Sequence, residues 1–116
     1  MKRFLLVLAL TLPGPSFAGY VNGQKLLGWI DGYEAVKQGA VSAPAQVEFN
    51  VAMGYVMGVV DVNNGIFFCL PKTVSVGQAV AITAKWLKDN PERWNAQADE
   101  LVVEALKPAF PCPKKP

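Results

Sequence analysis

The sequence predicts an all-α fold: a small single domain, residues 19–116, forming a bundle of four to five helices with one intramolecular disulfide. Three observations predict it. Apolar residues recur at helical spacing in four segments. Asparagine, serine, proline and glycine stand where helices begin and end. Two cysteines, Cys69 and Cys112, follow an N-terminus that reads as an export signal.

That signal comprises Met1-Lys2-Arg3, a short apolar run from Phe4 to Leu12, and Pro13-Gly14-Pro15-Ser16-Phe17-Ala18 with small residues at 16 and 18. Residues 1–18 are predicted to be a signal peptide cleaved after Ala18. The run is shorter than the ~20 apolar residues that span a bilayer, and Pro13 and Pro15 would break a buried helix. No second long apolar run follows, so no membrane insertion is expected after cleavage, and no cysteine adjoins the cleavage site to carry a lipid. Loss of Lys2 and Arg3 leaves nine basic residues against nine acidic ones. A neutral chain offers no electrostatic case for nucleic acid as a partner. In an oxidising compartment the two cysteines most simply pair with each other. Free thiols or an intermolecular bond are the alternatives, and the masses of non-reduced peptides separate them.

The first helix is expected over Asn22–Gln38, with Leu26, Leu27, Ile30, Tyr33 and Val36 inward and Gly39 as its stop. The second spans Pro44–Val62. Its residues alternate as a strand would, but a strand of that length is unusual and a helix is not. Only Glu48 and Asp61 are charged there, so this helix is expected to be buried on most sides, or shared with a second subunit. An Asn-Asn-Gly turn leads into a loop. Ser75, with Gln78 three residues on, opens the third helix, whose inner face is Val76, Ala79, Val80, Thr83, Trp86 and Leu87. In "DNPE", Asn90 fits an N-cap and Pro91 a first helical position. The fourth helix is therefore expected from Pro91 to Pro108, with Trp94, Ala98, Leu101, Val102, Ala105 and Leu106 inward.

Gly28 and Gly32, and Gly54 and Gly58, repeat at a spacing of four that puts each pair on one helix face. Mid-helix glycine costs about 1 kcal/mol against alanine. A tight crossing of the first two helices through these four residues is the reason the sequence offers.

The chain contains no histidine. That removes serine–histidine and cysteine–histidine nucleophilic sites and the usual zinc constellations. No glycine-rich phosphate loop, GxSxG or HExxH occurs. Asp31 with Glu34, and Glu100 with Glu104, share helix faces but read as solvated carboxylates. The prediction is a protein that is not an enzyme, with no catalytic residue, metal or cofactor. Recognition remains, and the best segment for it is the loop after the second helix. Asn63, Asn64, Gly65 and Ile66 are the expected contact residues; the competing reading is a plain turn with Phe67 and Phe68 plugging the core.

From the second helix onward the motifs become specific. "GYVMGVVD" (54–61), "FCLPKTVSVGQ" (68–78), "WLKDNPERWNAQADELVVEAL" (86–106) and "FPC" (110–112) follow in order. This set resembles the Rap/Tai immunity family of type VI secretion systems, with its G-x-x-x-G-x-x-D helix, C-x-P loop, N-P turn and final A-L-x-x-x-F-P-C. The first helix resembles it only through "LLGWIDGY" (26–33). Many members carry a further cysteine there, where this chain has Gly28 and Trp29, so a single disulfide is implied. The resemblance implies a periplasmic homodimer that binds a peptidoglycan amidase effector and occludes its cysteine–histidine cleft. Two other classes fit the same composition: an orphan periplasmic binding protein, and an acid-stress chaperone of the cell envelope, which would lose order near pH 2.

Overall fold

The computed structural model describes residues 20–114, so the expected signal segment, 1–18, lies outside the described residues. Four α-helices follow one another: α1 (Gly23–Lys37), α2 (Ala43–Asn63), α3 (Val76–Asp89) and α4 (Ala98–Ala109), with a 3₁₀ turn, Pro91–Arg93, before the last. Cys69 and Cys112, 43 residues apart in sequence, form the disulfide. Among the described residues no helix is long and apolar enough to cross a membrane.

Three helices start as their sequences predict. The Asn22 carboxamide accepts the Lys25 N–H at 2.9 Å, and the Ser75 hydroxyl accepts that of Gln78 at 3.1 Å. Ser42 caps α2 more loosely, with Pro44 in the first turn. Gly39, at φ 101°, ends α1 in the left-handed region that a side chain disfavours.

The start of α4 differs from the expectation. Asn90 closes α3 instead, its side-chain amide donating to the Trp86 carbonyl at 2.8 Å. Pro91–Arg93 make a single 3₁₀ turn, and α4 begins at Ala98. The reason is tertiary. The intervening carbonyls of Trp94 and Ala96 accept the N–H groups of Gln24 (3.0 Å) and Gly23 (3.1 Å), and the Val21 carbonyl accepts that of Ala98 (3.0 Å). The start of α1 and the start of α4 thus satisfy each other's free donors. A helix running through 94–97 would withdraw those carbonyls. The Trp94 indole extends the junction by donating to the Leu87 carbonyl at 2.7 Å.

Leu26 and Ile30 of α1, Ala52 and Val56 of α2, Val80 and Leu87 of α3, and Leu101 and Leu106 of α4 form the core. α1 and α2 pack most extensively, with Tyr33 stacked on Phe49 (centroids 5.0 Å apart) and Trp29 tilted against Tyr55 (5.8 Å). The four-glycine crossing needs correction accordingly. Only Gly32 lies where a Cβ would collide with the opposing helix, against the stem of Glu48. Gly28, Gly54 and Gly58 face open space; all three are exposed, and Gly54 and Gly58 border the side of α2 nearer α4. The close-packed glycine that spacing does not single out is Gly23: a Cβ there would stand 2.5 Å from Leu101 Cδ1 and 3.0 Å from the Trp94 backbone.

Of the two expectations for α2, burial on most sides within this chain is not met. Its buried residues are Ala45, Ala52, Val56 and Val59 alone. Val47, Met57 and Val62 stay exposed on a face that no other described helix covers.

Candidate functional site

The segment joining α2 to α3 is folded tightly on itself. The Asn64 N–H donates to the Val60 carbonyl, and the Asn63 carbonyl accepts from Ile66 (3.0 Å) and Phe67 (3.1 Å). Gly65, at φ 85°, turns the chain and donates to the Phe68 carbonyl at 2.7 Å. The Asn64 carboxamide crosses the base of the turn and accepts the Leu70 N–H at 2.8 Å. Phe68 is fully buried in the core. One residue later the Cys69 N–H donates to the Phe110 carbonyl at 2.8 Å, beside the Cys69–Cys112 bond. The loop is therefore anchored by an asparagine latch, a buried phenyl ring and a covalent tie to the tail.

The tip presents Ile66, 68% exposed, and Phe67, 52% exposed. Of the four residues expected at this site, only Ile66 offers its side chain outward in that way. Asn63 spends its amide on the Val59 carbonyl at 2.8 Å, Asn64 forms the latch, and Gly65 makes the turn. The competing reading, with both Phe67 and Phe68 plugging the core, holds for Phe68 alone. Phe67 closes the hydrogen-bonded turn that begins at Asn63, where its side chain is left half-exposed while Phe68, next along, enters the core. Two adjacent apolar side chains are thus held outward by a backbone that is already hydrogen-bonded.

The surfaces on either side are concave. Between α2, α3 and residues 70–75 lies a mostly apolar cavity of about 230 Å³, with Asn64 and Leu70 in its wall. Beyond Asn63, a shallower groove of about 560 Å³ runs between α2 and α4, with Gly54, Gly58 and Val62 along α2 and Asp99 on α4. Burial there raises the Tyr55 hydroxyl above its ordinary pKa of 10.0; the Asp99 charge adds to this and a hydrogen bond with the Asp99 backbone opposes it.

The two carboxylate pairs are not assembled for catalysis. Lys88 binds Glu34 at 2.7 Å, joining α3 to α1, and Arg93 binds Glu104 at 2.5 Å. Among the described residues no three Cys, Asp or Glu side chains converge as metal ligands.

The fold is a helical bundle tied by one disulfide, with an exposed apolar tip and no assembled catalytic groups among the described residues. A family model of the Rap1a immunity proteins matches residues 19–112, and the chain belongs to that family. Its members are non-enzymatic inhibitors of a cognate type VI secretion effector. No curated protein matches the chain.

Proposed function

We propose that this chain is exported to the periplasm, its signal peptide removed after Ala18, and that it neutralises a peptidoglycan amidase effector by sterically blocking the cysteine–histidine cleft. The observation that carries this reading is the Ile66–Phe67 tip, apolar, exposed and fixed. A blocking protein needs no reactive group; it needs a shape that stays put when it meets the enzyme. The disulfide supports an oxidising compartment. The test is inhibition of peptidoglycan hydrolysis by an amidase encoded beside this gene. Wild-type protein should inhibit, and Ile66→Asp with Phe67→Asp should not. Full inhibition by that double variant refutes the role of the tip.

We also propose a homodimer through the open face of α2, which supplies Val47, Met57 and Val62 without a cover from the other described residues. Light scattering should give a dimer for wild type and a monomer for Gly58→Trp. A wild-type monomer at micromolar concentration removes this part of the reading.

The orphan binder differs only in lacking an amidase partner, and the same inhibition assay separates it. The acid-stress chaperone draws no support from the core. Its buried polar side chain is Thr83, which donates to the Ala79 carbonyl at 2.9 Å; every described carboxylate is at least partly exposed. Protonation at low pH therefore has no buried carboxylate to neutralise.

A further inference from the structure

We propose that the cavity between α2, α3 and residues 70–75 is an anchor pocket for an aromatic side chain of the effector that carries an acidic neighbour. The inference rests on the reading of this chain as an effector-binding protein and goes beyond it in assigning a site and a chemistry.

Size comes first. The cavity measures about 230 Å³. An engineered apolar cavity of about 150 Å³ holds one benzene molecule, so this one admits a phenyl ring together with the methylene that joins it to a backbone. Its walls suit such a group: Val56, Met57 and Val60 from α2, Leu70 and Val74 from the connecting segment, and Ala79 from α3. Apolar walls with a few polar groups at the rim are the usual make-up of a pocket that takes a buried anchor.

Charge comes second. Lys72 is the single ionisable residue lining the cavity. No carboxylate of the described residues forms an ion pair with it. Ser75, the N-cap of α3, stands at the same rim, and the first turn of α3 carries no acidic residue. The positive end of that helix dipole therefore adds to Lys72 without compensation from its own turn. A ring whose neighbour bears a carboxylate satisfies both features; a ring beside a lysine or arginine meets repulsion.

Position comes third. Asn64, the latch of the exposed tip, and Leu70, its hydrogen-bond partner, are both wall residues. The pocket therefore shares its wall with the base of the tip, although Phe67 itself borders α4 on the other side of α2.

The first test needs no effector. Amide chemical shifts of the full mature protein are followed during titration with 3-phenylpropionate, an aromatic anion, and with 2-phenylethylamine, its cationic counterpart. The anion should shift the signals of Lys72, Val76 and Ala79 and bind several-fold more tightly than the amine. Lys72→Glu should abolish that preference. Absence of shifts at these residues, or equal binding of both compounds, overturns the pocket's chemistry.

The second test uses the neighbouring amidase. Val74→Trp, which fills the cavity, and Lys72→Glu should each weaken binding about tenfold, as loss of an interface anchor does, with the dichroism spectrum retained. Lys72→Glu is at an exposed position and keeps the test decisive if the tryptophan variant misfolds. Wild-type affinity in both variants overturns the anchor while leaving the immunity reading intact. An amidase that fails to bind the wild type overturns that reading and the assigned occupant with it, whereas the phenylpropionate titration still reports on the pocket.

Discussion

Replacing Gly23 by alanine adds one methyl group where the first turn of α1 meets the start of α4. Its Cβ would lie 2.5 Å from Leu101 Cδ1, and 3.0 Å from both the Cα and the carbonyl oxygen of Trp94. Leu101 is fully buried, so its methyl has little room to withdraw. The Trp94 carbonyl is held by the Gln24 N–H, so the backbone cannot retreat without losing that hydrogen bond. Overpacking of this kind costs about 1–3 kcal/mol. Alanine's better helix propensity returns at most about 1 kcal/mol. The net destabilisation should be about 1–2 kcal/mol. For a domain of this size, 1 kcal/mol moves the melting temperature by about 4–8 °C, so a fall of about 5–15 °C is expected in thermal melts followed by far-UV dichroism.

Gly28→Ala is the matched control. It lies in the same helix, is exposed, and has nothing within 4 Å of its Cβ position. Without a collision only the propensity term remains, about 0.5–1 kcal/mol in favour of alanine, and the melting temperature should rise by a few degrees. If Gly23→Ala melts at or above the wild type, the mutual capping of α1 and α4 is not the constraint described. Equal changes in both variants would refute the distinction between packed and open glycines.

Opening the disulfide with Cys69→Ser and Cys112→Ser should cost up to about 4 kcal/mol, the loop entropy released by a separation of 43 residues, read from urea midpoints. Asn64→Ala removes the acceptor for the Leu70 N–H; a loss of about 1 kcal/mol is expected, with faster amide exchange confined to the loop. Trp94→Phe deprives the Leu87 carbonyl of its indole donor and should lower stability by about 1 kcal/mol or more, since the ring shrinks as well. Tyr55 supplies a pH test. Burial, then the Asp99 charge, raise its folded pKa above 10.0, so the unfolded state loses its proton first. Its stabilising contribution is whole below pH 10.0 and falls as pH climbs through the folded value. Tyr55→Phe should flatten that alkaline decline in urea midpoints, and an unchanged decline would contradict it.

Much of this fold is readable from local chemistry. Asn22, Ser75 and Gly39 act where their side chains, or the lack of one, predict, because a cap or a left-handed stop involves only near neighbours. The start of α4 is not readable in that way. Asn90 and Pro91 form a genuine helix-start signal, but the carbonyls of Trp94 and Ala96 serve α1, which lies some seventy residues earlier in the chain. The glycines fail for a related reason. A spacing of four puts two residues on one face of a helix without saying which face meets a neighbour. That choice belongs to Tyr33, Phe49, Trp29 and Tyr55, which claim the α1–α2 seam by size. In α2, apolar nearly all round, no pattern distinguishes the inner side from the outer one.

The tip shows how these two kinds of information combine. Asn-Asn-Gly marks the turn locally, yet the exposure of Phe67 follows from Phe68, which the core takes, and from Cys69, which the tail holds. The proposed contact residue is here defined by what its neighbours are doing elsewhere. The disulfide, behind the tip, then has a functional consequence that its distance from the contact conceals. Without it, the chain on the far side of Phe68 gains freedom that must be lost again on binding. Cys69→Ser should therefore raise the dissociation rate of an amidase complex even at temperatures where the helices remain folded. A dissociation rate equal to that of the wild type would mean that the asparagine latch and the buried ring suffice to hold the tip.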